Sequence, residues 1–323
     1  MTLSKLAKLA NVSVSVVSKA FSGREDISEA MREHVFSVAK EYGCFHQFYH
    51  VPYDKPVVAV IIPEIISQYY VHYMQCFKEH LEKNGYTMLL SINNFDKHMT
   101  EELVRYYTQY SKVNAIICFG DMPKTNVSSD TVLISISPKA LECEYAHRVY
   151  QCLDTGLEEA LLYLKKSGHK RIAYVGEPFT DGKLVKLKAL MKKNGLDFDE
   201  KYIVCSRFRF EEAGMDGVRK LLGLEENPSV IIGAYGYITK GILSELEDRG
   251  ISVPDGMSVI SLDNEPYPLS LSVDVSCVPS DIENVCSSTI ALLNECLENK
   301  SVNGIKILEI PASFYEGETV KPI

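Results

Sequence analysis

The chain has no aspartate or glutamate among its first 24 residues. Lys5, Lys8, Lys19 and Arg24 stand there alone, in a protein of 323 residues with a net charge of −9. The rest of the chain carries 30 basic against 43 acidic residues, a balance of −13. A segment opposite in sign to its own protein points to a polyanionic partner. Other absences exclude whole classes. The nine cysteines contain no CxxC pair and no metal-ligand spacing with histidine, which leaves neither a zinc site nor a disulfide framework and reads as reduced core thiols. No apolar run approaches the roughly 18–20 residues that span a bilayer. Lys5 and Lys8 interrupt the place where a secretory signal would be continuous, so the protein is expected in the cytoplasm with no membrane partner. There is no GxGxxG after the first expected strand, no GxxxxGK[ST], no HExxH and no GxSxG. The sequence therefore predicts no enzyme, no metal and no cofactor.

The opening stretch carries a helical pattern. Leu3, Leu6, Ala7, Leu9 and Ala10 repeat at helical spacing, with Thr2 or Ser4 as N-cap. Asn11 suits a left-handed turn, and Ser13 caps a second helix over about 14–21 with Val17, Ala20 and Phe21 inward. Gly23 ends it. Ser28 caps a third helix with Met31, Val35, Val38 and Ala39 inward, closed by Gly43. Two short helices joined by about three residues, with a third behind, describe a helix-turn-helix unit whose second helix enters the major groove. Val14 and Ser15 are then expected at base edges, Lys19 one turn further on, and Ser13 and Ser18 on phosphates. Val16 and Ser22 complete the expected DNA face. Acids on that face would repel phosphate, which accounts for their absence.

The wording "LAKLANVSVSVVSKAFSG", followed by "ISEAMREHVFSVAKEYG", resembles the DNA-binding headpiece of the LacI/GalR family of bacterial repressors, without a gap from Thr2 to Gly43. Val16 stands where the family usually has Thr. Lys19 replaces the more frequent Arg, and an ammonium reads guanine less selectively than a guanidinium fork. Family members carry a hinge helix whose leucine wedges into the minor groove. Here "CFHQFYHVPYDKP" is shorter, lacks that leucine pattern and ends in Pro52 and Pro56. Phe45, Phe48 and Tyr49 are the aromatics available either as a wedge or as ordinary linker packing.

From Val57 onward short apolar runs alternate with amphipathic helices. "VVAVIIP", "YTMLLSI", "AIICFG", "RIAYVG", "YIVC", "SVIIGAY" and "SVISLD" read as strands. Helices are expected near 70–83, 100–110, 156–166, 183–194, 211–222 and 238–249. Continuous apolar strands between helices mean parallel sheets covered on both faces, a doubly wound α/β class. "LKKSGHKRIAYVGEP" and "ISVPDGMSVISLDNEP" resemble the periplasmic-binding-protein-like core of the same family. The resemblance implies an α/β protein with a small all-α headpiece (1–43), a linker (44–56) and a two-lobed core (57–323) with parallel sheets. Lobes of about 57–151 with 280–309 and 152–279 with 310–323 follow, with crossovers near Gln151, Pro279 and Ile310. It also implies a ligand cleft and a homodimer on double-stranded operator DNA.

The expected ligand-binding residues are Tyr69, Tyr70, Lys183, Tyr235 and Asp263. Of these, Asp263 in "SLDNEP" is retained from the family pattern. Lys183 aligns with a frequent sugar-clamping Arg. Tyr235-Gly236 replaces the common Asn-Asp, Cys152-Leu153 replaces a polar crossover pair, and Tyr69-Tyr70 takes the place of an aromatic pair. Polar clamps are lost and tyrosine faces gained, so the expected effector is a sugar derivative or nucleoside-like compound with a flat or apolar body. The alternatives are a doubly wound enzyme, a secreted sugar-binding protein, and a regulator whose degenerate cleft takes no effector.

Overall fold

The computed structural model describes residues 1–22, 24, 26–48, 55–122, 131–137, 146–264, 273–298 and 304–323. Gly23, Tyr49, Pro52 and Cys143 lie outside the described residues. Three capped helices open the chain. α1 (Leu3–Leu9) begins on Thr2, whose hydroxyl oxygen accepts from the Lys5 N–H. Asn11 takes φ 51°, a left-handed turn that its short amide tolerates. α2 (Val14–Phe21) and α3 (Glu29–Glu41) begin on Ser13 and Ser28, whose hydroxyls accept from the Val16 and Met31 N–H groups. Leu6, Val17, Ala20, Phe21, Val35 and Ala39 fill the centre of this unit. Met31, expected inward, is 38% exposed, and Phe36 packs on the centre from the same helix.

A single turn, α4 (Phe45–Phe48), closes the unit. The Phe45 and Phe48 rings lie 5.9 and 5.5 Å from Phe21, and Phe45 meets Phe36 edge-on at 5.1 Å. Two of the three aromatics weighed as groove wedges are therefore part of the headpiece's own apolar centre.

The elements that follow are β1 (Val57–Ile62), α5 (Gln68–Lys83), β2 (Thr87–Ile92), α6 (Lys97–Arg105), β3 (Ala115–Phe119), β4 (Val132–Ile136) and β5 (His147–Cys152). Next come α7 (Asp154–Lys166), β6 (Ile172–Gly176), α8 (Asp181–Lys193), β7 (Ile203–Cys205), α9 (Phe210–Leu222), β8 (Val230–Gly233) and α10 (Gly236–Asp248). The chain ends with β9 (Ser258–Asn264), β10 (Cys277–Pro279), α11 (Ile282–Glu298) and β11 (Ile307–Pro311). Two compact units result, Met1–Arg148 with Cys286–Ile307 and Val149–Val285 with Leu308–Ile323. The chain passes between them inside β5, α11 and β11. Gln151 and Ile310 lie in two of those elements, and Pro279 ends β10 ahead of the third.

The first sheet runs β11-β5-β4-β3-β1-β2 and the second β10-β9-β8-β6-β7. In the first, β1 pairs in parallel with β2 and β3. All six residues of β1 are buried, as a strand covered on both faces must be. In the second, β8 is flanked in parallel by β6 and β9. The helix expected over 100–110 stops at Arg105, and 106–110 form a π turn. There Thr108 donates to the Val104 carbonyl at 2.8 Å, and the Tyr107 hydroxyl meets Ser91 at 2.7 Å.

The helices α9 and α10 approach backbone to backbone. A Cβ on Gly214 would lie 2.1 Å from the Ile238 carbonyl oxygen, and one on Gly241 would lie 2.0 Å from that of Glu211. Neither obstacle is a movable side chain. Gly214→Ala and Gly241→Ala should each destabilise the second unit by about 1–3 kcal/mol, read as a lower urea midpoint at unchanged slope. Gly182→Ala in α8, where a Cβ meets nothing within 4 Å, should be neutral or stabilise by up to about 1 kcal/mol.

Candidate DNA interface and ligand site

On α2 the exposed residues are Val14, Ser15 and Ser18, with Ser13 before it and Ser22 after it, also exposed. They share one side because the other side, Val17, Ala20 and Phe21, is buried. Val16 is half-buried against the headpiece centre, so its apolar side chain serves packing where a threonine would present a hydroxyl. The Ser13 oxygen is engaged by the Val16 N–H at 3.2 Å and keeps its own proton to donate. Ser22 donates to the Lys19 carbonyl at 3.4 Å. No acid lies in the first turn of α2.

Lys19 is half-buried, and its ammonium is engaged. Its Nζ lies 2.7 Å from an Asp26 carboxylate oxygen. The Lys19 hydrogen bond holds the exposed Asp26 carboxyl below its ordinary value. Asp26 lies beyond the acid-free stretch, following the helix in sequence while its carboxylate returns beside it in space.

In the second unit, three of the expected ligand residues meet at the carboxyl ends of adjacent parallel strands, where doubly wound sheets bind ligands. Asp263 is the penultimate residue of β9 and takes φ 47°. Lys183 lies in the first turn of α8, and Tyr235 precedes α10. The Lys183 ammonium donates to the Asp263 carboxylate and, at 2.8 Å, to the Ala234 carbonyl. It also lies 5.8 Å from the centre of the Tyr235 ring. The Tyr235 hydroxyl donates to Glu177 at 2.9 Å and accepts the Phe210 N–H at 3.2 Å. Burial, then the Glu177 charge, push its ionisation far above the ordinary tyrosine value, so it stays a neutral donor.

Sequence reasoning missed the rest of this cluster. Glu177 is only 2% exposed and also receives Arg209 Nε at 3.2 Å. The Arg209 guanidinium stacks on Phe179 and Phe210 at 5.0 and 4.5 Å. Phe210 holds φ 57°, a costly conformation for a bulky residue. The stretch "RFRF" carried the only signal, cations interleaved with aromatics. Lys183 with Asp263, and Glu177 with Arg209 and Tyr235, thus form two neutralised groups.

Tyr69 and Tyr70 lie in the first unit, at the start of α5. Their rings meet edge-on at 5.2 Å. Tyr69 also packs on Tyr73 at 5.0 Å, and Tyr70 on Phe119 at 5.6 Å. Both tyrosines are half-buried in an aromatic cluster beyond β3.

A capped helix-turn-helix unit followed by two doubly wound α/β units defines a class, the DNA-binding regulators with a core of the periplasmic-binding type. Residues 2–44 match the family model described as bacterial regulatory proteins, lacI family. Residues 161–320 match that of the periplasmic binding protein-like domain. The catabolite control protein A of Priestia megaterium is 24% identical over 324 residues, 96% of each chain. The HTH-type transcriptional repressor CytR of Escherichia coli K12 is 24% identical over 81% of this chain and 80% of its own. Among solved structures, a Lacl family regulator from Silicibacter pomeroyi superposes with a TM-score of 0.72 at 17% identity. The regulator CelR in its cellobiose complex gives 0.68 at 19%. Both cover 99% of each chain. The chain belongs to the LacI/GalR family of transcriptional regulators, which bind DNA and catalyse no reaction.

The Lys183–Asp263 contact is internal to the second unit, so its loss should register without any ligand. Asp263→Ala should cost about 1–3 kcal/mol by leaving a half-buried ammonium with one carbonyl partner. Replacing both, Lys183→Met with Asp263→Ala, should recover most of that. Urea melts of the three variants check this. Singles that each cost only a few tenths would mark the contact as an ordinary solvated pair, worth about 0–1 kcal/mol.

Proposed function

We propose that the protein is a sequence-specific repressor that acts in the cytoplasm as a homodimer, placing two headpieces on a pseudo-palindromic operator. The observation that carries this is the face of α2. Ser13, Val14, Ser15, Ser18 and Ser22 are exposed together on a helix free of acids, in a protein otherwise strongly acidic. One headpiece reads only a few base pairs, so selectivity needs two. The CytR relative, itself named a repressor, supports that sign of regulation. Among the described residues no helix is long and apolar enough to cross a membrane.

In this reading a small molecule at the carboxyl ends of β6, β8 and β9 biases DNA affinity, a coupling of two binding equilibria. Its chemistry follows from what the cluster leaves available. Asp263, Lys183, Glu177 and Tyr235 already satisfy one another, so hexose hydroxyls would each find a committed partner and lose about 1–3 kcal/mol if buried unpaired. A flat body can stack on Tyr235, Phe179 or Phe210, while one charged end exchanges with the Lys183–Asp263 pair. A nucleoside, an aryl glycoside or a phosphorylated sugar fits that description. The same mutual satisfaction favours a second reading, in which the regulator binds DNA without an effector.

Three measurements test the proposal, and the last separates its two readings. Affinity for any duplex should fall by about 10³ or more between ~50 and ~200 mM salt. Ser15→Asp should abolish binding while leaving the headpiece's melting unchanged or raised, because an acid in the first turn suits the helix dipole. Retained affinity in that variant would remove α2 from the DNA face. Calorimetry of the full chain against nucleosides, aryl glycosides, sugar phosphates and plain hexoses should show binding only among the first three. Tight binding of an unmodified hexose would contradict the cluster chemistry, and silence across the panel would favour the effector-free reading.

A further inference from the structure

The headpiece carries one feature that the DNA-binding reading does not use. Lys19, the only cation on α2, is held by Asp26 at 2.7 Å across the turn between α2 and α3. Described residues on either side of Asp26 are tied to the headpiece. Arg32 of α3 donates to the Arg24 carbonyl at 2.6 Å, and Ile27 packs half-buried on the headpiece centre. Both charges keep access to solvent, with Lys19 and Asp26 side chains 36% and 54% exposed, so the pair can open.

We propose that Asp26 is a specificity-determining residue, an internal stand-in for phosphate that occupies Lys19 in the free headpiece and weakens its grip on arbitrary DNA. The inference rests on the reading that α2 faces DNA. An ammonium bound to a carboxylate releases no counterion when a phosphate arrives unless the pair first opens. The freed carboxylate then sits beside the polyanion and repels it. Arbitrary sequence offers nothing in return. A matching base pair does, because Lys19 can donate to guanine O6 or N7 while a carboxylate accepts from a cytosine amino group. The penalty thus falls on every site and is offset only at some. Affinity is lost to gain discrimination.

Anisotropy titration of a labelled random-sequence duplex, with the full chain and across ~50–200 mM salt, tests this on five proteins: wild type, Asp26→Asn, Asp26→Glu, Lys19→Ala and the double variant Lys19→Ala with Asp26→Asn. Asp26→Asn should tighten random-duplex binding several-fold and steepen the log–log salt dependence by about 0.9, the contribution of one newly freed cation. Asp26→Glu, which keeps the charge, should stay near wild type, showing that a fold change is not the cause. Lys19→Ala should cost little in the wild-type background and several-fold more beside Asp26→Asn. If Lys19→Ala weakens binding equally in both backgrounds and Asp26→Asn changes nothing, the inference is overturned and the DNA reading stands. If Lys19→Ala is without effect in both, Lys19 does not reach DNA and the inference is overturned, while the Ser15→Asp titration decides separately whether α2 does.

Discussion

A parallel sheet leaves no face to water, and most of this molecule follows from that constraint. Val57–Ile62 is apolar at every position and buried at every position, so helices must cover both sides of the sheet, and crossover connections must supply them. The second unit repeats the arrangement, with β8 buried at the centre of its sheet. Gly214 and Gly241 let α9 and α10 touch backbone to backbone on that sheet. Once strands run the same way, their carboxyl ends gather on one edge. Glu177, Lys183, Tyr235 and Asp263 are neighbours for that reason, though they are scattered over nearly ninety positions of sequence.

The headpiece answers to a different constraint. A domain this small must bury an apolar centre while keeping one helix face polar and free of acids. Serine caps at Ser13 and Ser28 satisfy helix ends without adding charge. The phenylalanines at 21, 36, 45 and 48 supply the apolar mass that three short helices lack. Charge enters the face only through Lys19, and there Asp26 balances it. The same principle governs the second unit's cluster, where Lys183 meets Asp263 and Arg209 meets Glu177. In both places a cation expected to meet a ligand is already held by a carboxylate of its own chain.

Much of this was legible in the sequence where signals are local. The boundaries of α2, the left-handed Asn11 and the serine caps follow from residue chemistry within four or five positions. So do the apolar runs of β1, β3, β6 and β8. What local patterns could not show is pairing across distance. Nothing in "SLDNEP" or "GKLVK" says that Asp263 and Lys183 touch, so the two look like free polar groups until the strands gather. Asp26 was hidden in the same way by a turn. The strands β5 and β11 also escaped, because "HRVYQC" and "ILEIP" mix polar and apolar residues on partly exposed positions, unlike the continuous runs at the sheet centres. Tyr69 and Tyr70 were legible as aromatics near a strand end. Their commitment to a ring cluster with Tyr73 and Phe119 was not.

If this acidic protein reads DNA through two copies of its acid-free helix, its operator must carry two inverted half-sites. Repeated selection of bound duplexes from a random library, followed by hydroxyl-radical footprinting of the winners with the full chain, tests it most directly. The expected result is a consensus of two inverted halves, each protected along the major groove, with protection lost in protein that lacks residues 1–48. A single unrepeated half-site, or protection that survives that truncation, would contradict it.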